Sequence, residues 1–208
     1  LRSRLRTVMR PDLHTGADGR YLIRSIYFDN YKDKALQEKT EGVARREKFR
    51  IRYYNDDFSF IVLEKKRKDN NLCLKFDAEI TEEECRQLLE GSLNWMRGHP
   101  SELVRELYVK MHTQMLRPRV LVSYVREPYI YRAGNVRVTF DSQVRTTLYH
   151  RRFLEEKVID ISAFDESRDM ILEVMYDAFL PEVVRGMLQT GVMRQEAFSK
   201  YAACRRFG

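Results

Sequence analysis

The stretch Asn135–Asp141, NVRVTFD, decides how the chain is read. At the two-residue period of a strand it sends Val136, Val138 and Phe140 to one face, and Asn135, Arg137, Thr139 and Asp141 to the other. The first is a core face. The second carries a cation, a hydroxyl and a carboxylate, and calls for an explanation.

Working outward, the same alternation recurs. In RREKFRIRYY (45–54), Arg46, Lys48, Arg50 and Arg52 share one face while Phe49, Ile51 and Tyr53 share the other. In RVLVSYVRE (119–127), Tyr124 and Arg126 lie on one side, and in MILEVMYD (170–177) Glu173 alternates with Leu172 and Val174. In FSFIVLEKKRK (58–68), Glu64, Lys66 and Lys68 continue the face begun by Phe58, Phe60 and Val62. Turn signals at NDD and DNN join RREKFRIRYY, FSFIVLEKKRK and NLCLKFDAEI (71–80) into an antiparallel meander.

Helices punctuate these strands. LRSRLRTVMR places Leu1, Leu5, Val8 and Met9 on one helical stripe, as though the chain were entered partway through a helix. RYLIRSIYFD (20–29) reads as a strand, and NYKDKALQEKTEG as a short helical or irregular excursion for which Asp29 serves as cap. Thr81 and Glu84 form a capping box, with Gly91 as the stop of that helix. A second helix follows Pro100, a further strand is expected at VRTTLYH (144–150), Pro181 and Gly191 bracket a helix, and FSKYAACRRF closes the chain with another. The pattern predicts one α+β domain over 1–208, dominated by antiparallel strands.

The 208 residues are 43% hydrophobic and 33% charged, which suits a folded domain, and the formal net charge of +7 points to an anionic partner. Cys73, Cys85 and Cys204 are odd in number and lack zinc-ligand spacing, which argues against a disulfide framework or a zinc site and for a reducing, cytoplasmic setting. There is no run of about 18 apolar residues. P-loop, Rossmann and HExxH motifs are absent, and His14, His99, His112 and His150 are dispersed without ligand spacing. Asp141 could ligate a metal or form a salt bridge with Arg137 on its own face.

Two readings of the cationic faces stand at this point. They are either the solvated side of a sheet whose other side meets the core, or the lining of a channel formed by a curled sheet. Two guanidinium charges about 6 Å apart at an effective dielectric of about 20 repel by roughly 3 kcal/mol. Burial adds the desolvation of each ion, so an inward lining needs a polyanion to neutralise it.

The ordered set SIYFDN (25–30), REKFRIRYY (46–54), VLEKKRK (62–68), SYVRE with NVRVTFD, ILEVMYD and FSKY (198–201) resembles the VTC domain, the polyphosphate polymerase domain of the triphosphate tunnel metalloenzyme superfamily. The likeness runs from about Tyr21 to Tyr201. It implies an antiparallel β-barrel tunnel of about eight strands with helices packed outside. It also implies Mn²⁺ or Mg²⁺ as cofactor and transfer of the γ-phosphate of ATP to a growing polyphosphate chain.

Carried over by position, the resemblance assigns phosphate binding to Arg50 and Arg52 of the RxR pair, Lys66, Lys75, Tyr124, Arg126, Arg137 and Lys200. Arg46 and Lys48 are additional candidates on the first of these strands, and Glu173 matches the metal-binding glutamate. Two features depart from the family pattern: Met175 stands where the family carries a lysine, and an initial ELKY-like strand is absent, so a chain truncated at its N-terminus is expected.

The expected partners are a nucleoside triphosphate and polyphosphate, with a membrane protein that would hold the domain at the inner face of a membrane, and no nucleic acid. A non-catalytic polyphosphate or nucleotide sensor and a tunnel triphosphatase remain as alternatives to polymerisation.

Overall fold

The computed structural model of the protein describes residues 1–70, 72–147, 150–164, 170–189, 191 and 198–207. Its strands are β1 (Arg10–Pro11), β2 (Tyr21–Asp29), β3 (Arg45–Tyr54), β4 (Asp57–Asp69), β5 (Leu72–Ile80), β6 (Arg117–Tyr131), β7 (Val136–Thr147), β8 (Ile161–Ser162) and β9 (Ile171–Met175). They form one nine-stranded antiparallel sheet in the order β5-β4-β3-β2-β6-β7-β8, with β1 paired to β6 and β9 to β7. Among the described residues no pairing joins the two ends, so hydrogen bonds do not close the sheet.

The helices are α1 (Arg2–Arg6), α2 (Lys34–Thr40), α3 (Glu82–Glu90), α4 (Glu102–Thr113), α5 (Glu182–Leu188) and α6 (Lys200–Cys204). None among the described residues is long and apolar enough to cross a membrane.

Two compact units divide the chain. The first holds residues Leu1–Leu22, Tyr124–Val144 and Phe164–Phe198; the second holds Ile23–Ser123, Arg145–Ala163 and Ser199–Gly208. The divisions fall inside β2, β6 and β7 as well as between elements, so no linker composition marks them.

The second unit is built on the predicted meander. Ile26, Phe28, Phe49, Ile51, Tyr53, Ile61, Leu63 and Ile80 project from its strands into a buried cluster with Cys85, Leu88 and Leu89 of α3 and Leu103, Val104, Leu107 and Met111 of α4. The expected capping box opens α3: Thr81 Oγ1 accepts from the Glu84 amide at 3.2 Å and Glu84 Oε2 accepts from the Thr81 amide at 2.8 Å. Gly91 closes it in the left-handed region at φ 88.

One strand face departs from simple alternation. Phe58 packs against the core cluster and meets Tyr53 edge-on at 5.1 Å, so it does not begin the face that Val62 and Glu64 share. The cause is local. Asn55 and Asp56 both take positive φ, and the β3–β4 register shifts between Arg52 and Tyr54.

In the first unit the reading of NVRVTFD holds. Val136, Val138 and Phe140 are buried with Leu5 and Met9 from the N-terminal segment, Tyr129, and Val184 of α5. The separate strand expected at VRTTLYH is instead the continuation of β7, whose Gln143 takes φ 52 without ending the strand. Leu148 and Tyr149 of that stretch lie outside the described residues.

Candidate anion-binding site

Directly opposed residues of an antiparallel pair share a face. In the second unit this rule places Arg46 with Lys68, Lys48 with Lys66, Arg50 with Glu64 and Arg52 with Val62 across β3 and β4. β5 adds Lys75 opposite Lys66 and Asp77 opposite Glu64, and β2 adds Ser25 opposite Arg52 and Tyr27 opposite Arg50. This is the face turned away from the apolar cluster. Over β3–β5 it carries seven cations, Arg46, Lys48, Arg50, Arg52, Lys66, Lys68 and Lys75, against three carboxylates, Glu64, Asp77 and Glu79. The surplus is positive.

Glu64 sits at the centre, 3% exposed. Its carboxylate accepts from Arg50 Nε at 2.5 Å, pairs with Lys75 Nζ at 2.9 Å and has Arg52 Nη1 at 3.8 Å. Burial pushes its pKa up, but Arg50, Arg52 and Lys75 more than reverse this and hold it at about 2. The repulsion that the sequence reading left for a polyanion alone to relieve is therefore partly relieved from within the chain.

A pH prediction follows from this depressed carboxyl. Its contribution to stability, about 3 kcal/mol, is complete above its ordinary value of 4.5 and is lost as pH falls through about 2. Glu64→Gln removes that dependence. Denaturant midpoints compared between the two proteins from neutral pH downward should converge in acid; parallel curves would refute the assignment.

Tyr27 completes the cluster and was not singled out by the sequence pattern. It is 3% exposed, and its hydroxyl accepts from Arg50 Nη1 at 3.0 Å. Lys48 Nζ and Arg50 Cζ lie 5.6 and 5.8 Å from its ring centroid. Burial raises its pKa, and the charges of Arg50, Lys48 and Arg52 outweigh this and lower it to about 8.

The ring of Tyr27 stacks on Tyr201 of α6 at 5.2 Å. Tyr201 in turn donates to Asp29 Oδ2 at 2.6 Å. Asp29 is the cap it was read to be: its carboxylate accepts from the amides of Ala35 and Leu36 at 2.9 and 3.1 Å, at the start of α2. Lys200, the first residue of α6, is 7% exposed within this same unit.

The remaining candidates belong to the first unit. Arg126, 7% exposed, donates Nε and Nη2 to the two oxygens of Asp141, both at 2.7 Å, and Nη2 also reaches Glu173 Oε2 at 2.8 Å. Its guanidinium lies 5.3 Å from the Tyr124 ring centroid. Burial disfavours the charge, yet Tyr124, Asp141 and Glu173 raise the Arg126 pKa above its ordinary value. The salt bridge envisaged between Asp141 and Arg137 is replaced: Asp141 binds Arg126, and Arg137 donates to Asp12 Oδ2 at 2.7 Å and to the Tyr21 hydroxyl at 2.8 Å. Asp12 lies far from Arg137 in sequence, beyond the reach of a strand-period argument.

Glu173 stands opposite Thr139 on β9, and Met175 stands opposite Arg137. Among the described residues no group of three or more His, Cys, Asp or Glu side chains is arranged to hold a metal. Arg126 engages both oxygens of Asp141 and one oxygen of Glu173, so the cluster offers a cation at most the carboxylate of Glu173. That donor set fits Mg²⁺ or Mn²⁺ brought in on phosphate oxygens and water, not a dedicated protein cage.

A helix-backed antiparallel sheet whose opposite face gathers an excess of arginine and lysine defines an anion-binding protein of the α+β class. The chain belongs to the VTC domain family, whose family model matches residues 1–207. Among solved structures it is similar to a "putative adenylate cyclase" from Bacillus halodurans, with 17% identity and a TM-score of 0.43, over 66% of this chain and 64% of that one. The PH1819 protein of Pyrococcus horikoshii OT3 aligns at 15% identity and a TM-score of 0.36, over 68% of this chain and 63% of that one. The chain thus spans less than two-thirds of each of those chains, and likenesses this weak carry no inference about activity. No curated protein matches the sequence.

Proposed function

We propose that the chain binds the phosphates of a nucleoside triphosphate and of polyphosphate, and transfers the terminal phosphate of ATP onto the polyphosphate end. The observation that carries this reading is the Glu64-centred face of the second unit, where Arg50, Arg52, Lys66 and Lys75 are clustered with too few carboxylates to balance them.

Phosphoryl transfer asks little covalent chemistry of a protein and much alignment and charge neutralisation. Arginine forks grip phosphate oxygens in fixed geometry, and lysines follow as movable point charges. A terminal oxygen of the acceptor chain attacks the γ-phosphorus, the bond to the β-γ bridging oxygen breaks, and ADP leaves. No side-chain nucleophile is needed. On this reading Arg50, Arg52, Lys66, Lys75 and Lys200 of the second unit, with Arg46 and Lys48, bind phosphate, as do Tyr124, Arg126 and Arg137 of the first. A divalent cation would be held by Glu173 and would supply charge neutralisation to phosphate oxygens.

Incubated with ATP and Mn²⁺, the protein is expected to accumulate acid-labile phosphate chains. Release of inorganic phosphate without chain growth would replace this reading with a triphosphatase. Tight binding without turnover would make the chain a polyphosphate or nucleotide sensor, the alternative favoured by Met175, an apolar residue opposite Arg137. Short polyphosphate should displace bound triphosphate far better than duplex DNA does. A membrane protein that recruits the domain to the inner face of a membrane completes the proposal.

A further inference from the structure

We propose that Tyr27 is a positioning residue that exchanges a proton when phosphate binds in mildly alkaline solution: without an anion, Lys48, Arg50 and Arg52 draw on its oxygen as a counter-charge, and an arriving phosphate returns a proton to it. This rests on the phosphate-binding reading of the same face and adds a regulation to it.

The geometry comes from four directions. From β3, Arg50 donates to the Tyr27 oxygen at 3.0 Å, Lys48 lies over its ring, and Arg52 adds its charge. From β4, Glu64 holds Arg50 in place at 2.5 Å. From α6, the Tyr201 ring backs Tyr27, and burial together with Asp29 raises the Tyr201 pKa, so that phenol stays protonated. Asp29, on the same strand as Tyr27, is taken up by the amides of Ala35 and Leu36. Arg205 and, from the neighbouring strand β6, Arg119 are both engaged by Asp33, at 2.5 and 3.4 Å.

Tyr54 also lies beside these cations, its ring 5.9 Å from Arg52 Cζ, and Tyr27 is the phenol whose oxygen accepts from Arg50. Its fixed ring also limits where Lys48 and Arg50 can place their charges.

The sign of the coupling is set by electrostatics. A phosphate anion beside the same cations cancels the attraction that lowers the Tyr27 pKa to about 8, and the phenol moves back toward its ordinary 10.0. Binding therefore takes up a proton from solvent between those two values. Affinity declines across that window, at most about tenfold per pH unit for one proton.

The test is calorimetry of tripolyphosphate binding within that window, in buffers of different ionisation enthalpy, for the wild type and Tyr27→Phe. The phenylalanine keeps the ring beneath Lys48 and removes the titrating oxygen; protonation of the probe and of the lysines is common to both proteins. Greater proton uptake by the wild type is the expected result, and equal uptake overturns the inference while leaving phosphate binding intact. Binding by neither protein overturns the phosphate reading itself and this inference with it. Should the variant fold poorly, tyrosinate absorbance of the wild type is titrated with and without saturating tripolyphosphate. One tyrosine transition should move to higher pH with ligand, and a transition that stays in place overturns the inference.

Discussion

Arg50→Ala is expected to abolish the accumulation of acid-labile phosphate chains from ATP, a loss on the order of 10³-fold, the scale on which a single arginine acts in phosphoryl transfer. The side chain is placed for that effect. It is held between Glu64 and the Tyr27 hydroxyl, so its guanidinium is pre-oriented and little ordering remains to be done on binding. Truncation leaves Glu64 with Lys75 at 2.9 Å and Arg52 at 3.8 Å, so the carboxylate is not abandoned and the fold survives. Arg50→Lys should recover little, because an ammonium is a point charge and cannot reproduce the fork. Thermal unfolding separates loss of function from loss of structure. Chain accumulation unchanged in Arg50→Ala would end the polymerase reading of this face.

Arg126→Met is expected to destabilise the protein by about 3–5 kcal/mol, the cost of removing one member of a buried, hydrogen-bonded ion pair. Asp141 is 0% exposed, and Arg126 donates to both of its carboxylate oxygens at 2.7 Å. Replacing Arg126 and Asp141 together by apolar residues of similar volume should cost much less, since the buried carboxylate leaves with its partner and Glu173, which also loses Arg126, has a side chain 39% exposed to water. Denaturant midpoints of the three variants, including Asp141→Leu, measure the coupling. A loss below about 1 kcal/mol in Arg126→Met would show that the pair behaves as a solvated surface bridge. Arg126 thus has a structural task beside the phosphate binding proposed for it.

Several features were legible in the residues themselves. The cations at 46, 48, 50 and 52 do share one face, and Val136, Val138 and Phe140 do share a buried one. Both follow from the period of an extended chain, which needs no knowledge of the neighbours. The capping box at Thr81 and the cap at Asp29 were equally readable, because their partners lie within seven residues.

What escaped had longer reach or smaller cause. Phe58 left its expected face through a register shift beside two positive-φ residues, and Gln143 took positive φ without breaking β7. Glu64 was seen on its face but not as the hub of Arg50, Arg52 and Lys75, and Tyr27 was not seen as part of the cluster at all.

The sequence by itself determined which side chains alternate, which helices are capped, the excess of positive charge and the family to which the chain belongs, since each is written in local spacing or in an ordered set of short motifs. Tertiary structure decided which charge meets which: Arg126 with Asp141 and Glu173, Arg137 with Asp12, and Tyr27 among Lys48, Arg50 and Arg52. The reason is physical. Alternation is a property of one strand's backbone, whereas ion pairing and pKa depend on distances of a few ångströms between groups from different strands, which register and loop placement alone establish.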